Sequence, residues 1–240
     1  YNIFINCSAM RAAAFSVTSV KNMSFSKNEL ICNKAFDRAG GLLLNNVKAV
    51  NINYSLFERN QADNYAGAMS FTNCVRTMIM LCKFGENRAE SGGVIYAGEF
   101  KNMISIKNQF EKNKYSGTMQ IVGSHMFLEF YSKYFSNENK EGGAAINAFV
   151  SDYCLIFSTQ MSHNKAIQSG GALWFQQVNH IIITGSDFSF NYAKGSGGFG
   201  SFIKTKRLFV IVYSRFNNDY ATRKGGCLNL MDIALFRVIR

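Results

Sequence analysis

Carboxylates, imidazoles and thiols are the groups in this chain that could do acid–base, metal or redox chemistry. The aspartates are Asp37, Asp63, Asp152, Asp187, Asp219 and Asp232, and no two are adjacent. Asp187 and Asp219 fall at nearby points of a repeat described below. Two carboxylates across a glycosidic bond would suit acid–base hydrolysis, but both also read as exposed turn residues. No carboxylate cluster suited to calcium is visible. His125, His163 and His180 show no metal-ligand spacing, and His163 is expected to be merely exposed. The six cysteines form no Cys-x-x-Cys. Cys82 reads as a small core residue, and Cys7 with Cys32 could bridge two neighbouring layers near the amino end. No catalytic residue, metal ligand or cofactor site is expected.

Charge points to partners rather than to chemistry. The chain has 26 Lys plus Arg against 15 Asp plus Glu, a net charge of +11. Such an excess attracts sulfated glycans, anionic cell surfaces or nucleic acid at long range. The basic residues are dispersed, so specific nucleic-acid recognition is not expected. The densest cluster is Lys204, Lys206 and Arg207, with Arg223 and Lys224 one repeat later. Possible N-glycosylation acceptors are Asn6, Asn22 and Asn53, each followed two residues later by Ser. No unbroken apolar run is long enough for a membrane-spanning helix. The chain starts at Tyr1 and reads as processed or cut from something longer.

These residues must be positioned by a repeating scaffold, and the sequence shows one. Small-residue pairs precede hydrophobic runs with second residues Gly41, Gly67, Gly93, Gly117, Gly143, Gly171, Gly198 and Gly226. Their separations are 26, 26, 24, 26, 28, 27 and 28 residues. In phase with them runs Phe-x-x-Asn: Phe25 to Asn28, Phe57 to Asn60, Phe84 to Asn87, Phe110 to Asn113 and Phe188 to Asn191. Met161 to Asn164 is a close variant. Phe135 to Glu138 and Phe216 to Asp219 keep the aromatic and lose the Asn. The long interval from Phe25 to Gly40 predicts an inserted loop. Apolar runs between the motifs are strand-length and rich in β-branched residues. Sustained helical periodicity is absent.

A fixed period of roughly 27 residues built from short strands predicts a parallel β-helix. Three strands per coil and about nine coils would give one domain over residues 1–240, a rod on the order of 40 Å long. The recurring Phe should form an interior column. The recurring Asn should form a ladder at a turn, tolerating left-handed backbone and bonding its neighbours. The glycines should supply positive φ and corners without a Cβ.

Repeated GGA-[ILV] and FxxN tetrapeptides along a β-helix resemble the polymorphic membrane proteins of chlamydiae. The likeness spans Phe25 to Leu228. It implies a right-handed, pectin-lyase-like helix in a surface-exposed adhesin, and therefore an extracellular or cell-surface location. No series of barrel strands follows the helix, so anchorage does not carry over. The expected function is a structural or adhesive glycoprotein module. Its bare helix ends invite end-to-end self-association into filaments, and its charge invites glycans or anionic cell surfaces. The alternative is a carbohydrate-active lyase or hydrolase of the same fold. Polygalacturonase-like enzymes carry adjacent aspartates and a Gly-His-Gly, and both are missing here.

Overall fold

Short segments that alternate inward apolar and outward polar side chains cannot bury themselves alone, and here they stack. The computed structural model describes residues 1–239. It is a right-handed parallel β-helix of about nine coils, with strands and no helix among the described residues. Within each sheet the strands pair in parallel with their equivalents in adjoining coils. One wall has nine strands, running from Asn2–Ile5 to Arg215–Asn217. A second, short wall is split into sheets of five and four strands. The third, with sixteen strands, is folded into two panels. Each coil therefore carries four strand segments rather than the three expected. In two coils the panels are continuous, in the strands Ile146–Phe157 and Leu173–Thr184.

Single left-handed residues make the corners. Arg59, Glu86, Lys112, Ser136, His163 and Phe190 have φ between 52° and 56° at one corner. The residue after each turns inward and is the ladder asparagine. Asn is thus not itself the left-handed residue; it is the buried brace beside it. Asn33, Asn60, Asn87, Asn113, Asn137, Asn164 and Asn191 are all fully buried. Asn87 shows the bonding pattern. Its Oδ1 accepts from the backbone N–H of Asn60 at 2.9 Å and from Asn60 Nδ2 at 3.1 Å. Its own Nδ2 donates to Asn113 Oδ1 at 3.3 Å and to the Phe57 carbonyl at 2.8 Å. Each amide so joins three coils.

Beside the ladder lies the interior column. Phe57, Phe84, Phe110 and Tyr134 stack at centroid separations of 4.9, 4.8 and 4.5 Å. The register corrects the motif assignment at three places. Leu30 and Asn33, level with Phe57 and Asn60, form the first clear copy. Phe25 lies one strand earlier, level with Ile52, and Asn28 lies level with Ser55 in a neighbouring file. No inserted loop follows Phe25. Tyr134 and Asn137, not Phe135 and Glu138, continue the column and the ladder. The glycine file also shifts: Gly40 is level with Gly67, so Gly41 falls one residue late and Gly143 one residue early. The pair splits its work. Gly197 has φ +71°, and a Cβ on Gly198 would land on the Gly226 carbonyl oxygen.

Tyr134 brings a hydroxyl into the core, and Glu129 answers it. Glu129 lies level with Ser105 in one neighbouring coil and Ile156 in the other, and is fully buried. Tyr134 Oη donates to Glu129 Oε2 at 2.8 Å. Burial pushes the Glu129 carboxyl up to about 7, despite bonds from Ser132, Tyr134 and Ser105 that lower it.

Two outcomes follow. Asn113→Ala leaves donors or acceptors of both neighbouring coils unpaired and should destabilise the fold by roughly 3 kcal/mol in urea unfolding. For Glu129, the native state holds a proton that the unfolded chain has already released. Its contribution is complete below the ordinary carboxyl range and is lost as pH rises through about 7. Melting curves should show falling stability over that window. Glu129→Gln should flatten the fall by on the order of 3 kcal/mol.

Candidate functional site

The shortest coil creates a notch in one flank. Phe110 to Tyr134 spans 24 residues, where Phe57 to Phe84 spans 27. The missing residues come from the short wall, which breaks there. Its first sheet ends with Lys114–Tyr115, and the second begins at Glu138–Asn139. Across the gap Lys140 Nζ reaches Glu90 Oε2, two coils away, at 2.7 Å. The Lys140 bond holds the Glu90 carboxyl below its usual range. Between them lies the Tyr115 ring, with the Arg88 guanidinium 4.0 Å and the Lys140 ammonium 4.4 Å from its centroid.

The notch opens a hollow of about 320 Å³ lined by Lys114, Tyr115, Glu138, Lys140, Lys165 and Ile167. Sharing Lys165 and Ile167, a second depression continues past His163, Phe190, Tyr192 and Lys194. A third runs on from Lys194 to Arg223. Five cations thus line one axial groove, and Glu138 is the one carboxylate among its lining residues. Exposed rings accompany them. His163 packs on Phe135 at 5.2 Å and on Phe190 at 5.0 Å, and Tyr192 stacks on Tyr220 at 5.8 Å. Ammonium groups can pair with sulfate or carboxylate, and open ring faces can stack on sugar faces. Neighbouring coils stand about 4.8 Å apart, and one file up the groove reads Glu138, Lys165, Tyr192 and Tyr220.

The carboxylates singled out in the sequence are not gathered into this groove. Asp219 takes the Asn position one coil after Asn191, accepting from Asn191 N and Nδ2 at 2.9 Å. Burial, more than neighbouring charge, pushes its carboxyl up to about 6. Asp187 stands level with Arg215 on the outer side of the nine-stranded wall. The basic cluster also divides. Lys204, Lys206 and Arg207 follow the strand Gly200–Ile203, whereas Arg223 and Lys224 precede its neighbour Leu228–Met231.

One arrangement escaped the sequence reading. His125 Nδ1 lies 3.0 Å from Asp152 Oδ2, and Asn179 Nδ2 donates to Asp152 Oδ1 at 2.8 Å. The three residues are one coil apart in turn, so their 27-residue intervals were the available signal. The His125 bond, ahead of Asn179, lowers the Asp152 carboxyl. Burial pushes the thiol of nearby Cys154 up to about 12. Among the described residues no group of three or more His, Cys, Asp or Glu could hold a metal ion.

All six cysteines are free thiols, so the Cys7–Cys32 bridge is not formed. Cys7 instead starts the ladder, donating its backbone N–H to Asn33 Oδ1 at 2.9 Å. Asn6 and Asn22 are exposed. Asn53 is half-buried, and Ser55 of the same sequon is buried with its hydroxyl bonded to the Asn53 carbonyl. No family model, curated protein or solved structure matches the chain.

Thiol exposure gives a direct check of the core. A maleimide should label Cys7 and Cys32 in the native protein. Cys74, Cys82 and Cys154 should label only after denaturation, read by mass spectrometry, because they are buried and their thiols are raised by desolvation.

Proposed function

We propose that the protein is an extracellular structural and adhesive β-helix module that holds acidic glycans in its basic flank groove. The carrying observation is the line of Lys114, Lys140, Lys165, Lys194 and Arg223 beside exposed aromatic rings. The net charge of +11 supports it by drawing polyanions toward the rod. The likeness of the repeats to chlamydial surface adhesins supports the same class. Each coil pairs with the next through parallel strand edges, the type of contact through which further coils, of this or another chain, would add end to end. In a carbohydrate-active enzyme two carboxylates would face one another across the groove. The lining here offers Glu138 alone, which favours holding a glycan over cleaving it.

The test is binding to a sulfated polysaccharide, with a neutral one as control. The sulfated chain should bind, weaken with salt, and lose at least about tenfold in affinity in Lys165→Glu/Lys194→Glu. Equal binding of both polysaccharides, or an unaffected double variant, would refute the groove. Electron microscopy across a concentration series tests end addition separately. Rods that lengthen in steps support it, and rods of one length at every concentration discard it.

A further inference from the structure

One position of the short wall is an alanine in coil after coil: Ala35, Ala62 and Ala89 before the notch, Ala166, Ala193 and Ala221 after it. At the notch the file changes. Tyr115 stands level with Ala89, and Asn139 stands level with Ala166. Ala62, Ala89, Ala166 and Ala193 are buried, and a position packed for a methyl has no room for a phenol ring. The Tyr115 ring is half-buried, lines the hollow and lies against the Arg88 and Lys140 cations. Its φ of +80° is one that a bulky residue rarely adopts. Asn139 is buried and braces the following turn. Its Nδ2 donates to the Gly142 carbonyl at 2.6 Å, and its Oδ1 accepts from the Glu141 N–H at 2.9 Å. Departures from a local rule that gather at one place are expected where a structure serves function as well as packing.

Ion pairing along the short wall changes at the same place. In the strands Ser8–Arg11, Lys34–Arg38 and Arg88–Ser91 every cation is paired: Arg11 and Arg38 with Asp37, Lys34 with Asp63, and Arg88 with Glu90. Of the groove cations, Lys114, Lys165, Lys194 and Arg223 have no ion-pair partner among the described residues. Lys140 alone is paired, and its carboxylate comes from before the notch. Glu90 Oε2 accepts from Lys140 Nζ at 2.7 Å, and Oε1 lies 3.5 Å from Arg88 Nη2. One carboxylate thus bridges two cations beside an aromatic ring. The same three groups suit an acidic sugar, with its oxyanion on the cations and its ring face against the phenol.

We propose that Arg88, Lys140 and Tyr115 form an acidic-sugar subsite at the notch end of the groove, and that Glu90 occupies it as a tethered stand-in for the ligand's acidic group. This subsite rests on the reading of the groove as a holder of acidic glycans. A bound chain puts its own oxyanion where the Glu90 carboxylate lies, so it exchanges one ion pair for another there and gains little. Glu90 thereby confines the strong hold to the unpaired cations. The exchange is open to a ligand because the Glu90 and Lys140 side chains are each about half exposed, and exposed pairs contribute little to stability.

Affinity for dextran sulfate is the test, with dextran as the neutral control and salt held fixed. Glu90→Gln should bind about two- to fivefold more tightly than the wild type, because both subsite cations are set free. With Arg88→Gln and Lys140→Met already in place, the same substitution should change affinity by less than about 1.5-fold. A mere loss of negative charge would act equally in both backgrounds. If the multiple variant misfolds, a carboxyl NMR titration of the wild type decides. The Lys140 bond holds the Glu90 carboxyl below its usual range, and saturation with dextran sulfate should raise it. A wild type that binds dextran sulfate and is matched by Glu90→Gln overturns the subsite and leaves the groove standing. An equal gain in both backgrounds, or a Glu90 carboxyl that stays low at saturation, overturns it as well. Failure of both the wild type and Glu90→Gln to prefer dextran sulfate over dextran overturns the groove itself, so the two failures are told apart.

Discussion

A buried amide left without partners costs on the order of 1–3 kcal/mol, and this protein stacks seven of them in one file. The cost is avoided because each amide is the partner of the next. Oδ1 accepts twice from the coil before, while Nδ2 donates forward to the next amide and back to a main-chain carbonyl. That arrangement works at one coil spacing and in one register. A slip by a single residue would put every asparagine on the solvent face. The hydrophobic column beside it is more permissive, admitting Leu30, Met161 and Tyr134 among its phenylalanines.

The ladder also steadies corners that the backbone would otherwise resist. Among the described residues twenty-eight other than glycine have positive φ, a conformation that costs about 1 kcal/mol or more apiece. At the ladder corner the following asparagine bonds the chain across the turn. At another corner Tyr54, Leu81 and Ser158 are followed by Ser55, Cys82 and Thr159, small inward groups that play the same part. The ladder has a direction as well. Donors point toward higher coils, so each position must accept from the one before. Asp219, one coil after Asn191, accepts with a carboxylate held in a half-buried place.

The period and the fold were legible because inward positions repeat. The phase was misread where the aromatic served as the marker. Read from asparagine instead, Asn33, Asn60, Asn87, Asn113, Asn137, Asn164 and Asn191 follow one another by 27, 27, 26, 24, 27 and 27 residues. Tyr134 and Leu30 then fall into place as ordinary column members. The amide is the stricter constraint, since a core accepts any large apolar group of suitable shape but a ladder accepts only what can both donate and accept. The groove was illegible for the complementary reason. Lys140, Tyr115 and Glu90 meet because a coil is three residues short, and sequence spacing alone gave no hint of which outward residues that deletion would bring together.

Outward rows carry none of this burden, which leaves them free to differ from wall to wall. The short wall is charged and aromatic, and the second panel of the long wall is uncharged over five coils. A solenoid has no cleft formed by packing of separate elements, so concavity must come from irregular coil length. One shortened coil supplies it, at the place where the wall splits into two sheets. The flat panel has the opposite origin. There the coils keep strict register, with strands level from Asn22–Ser26 to Leu208–Val212. Irregularity makes the hollow in the short wall, and regularity makes the flat panel of the long one. Both depend on the same buried amides holding the coil spacing constant beneath them.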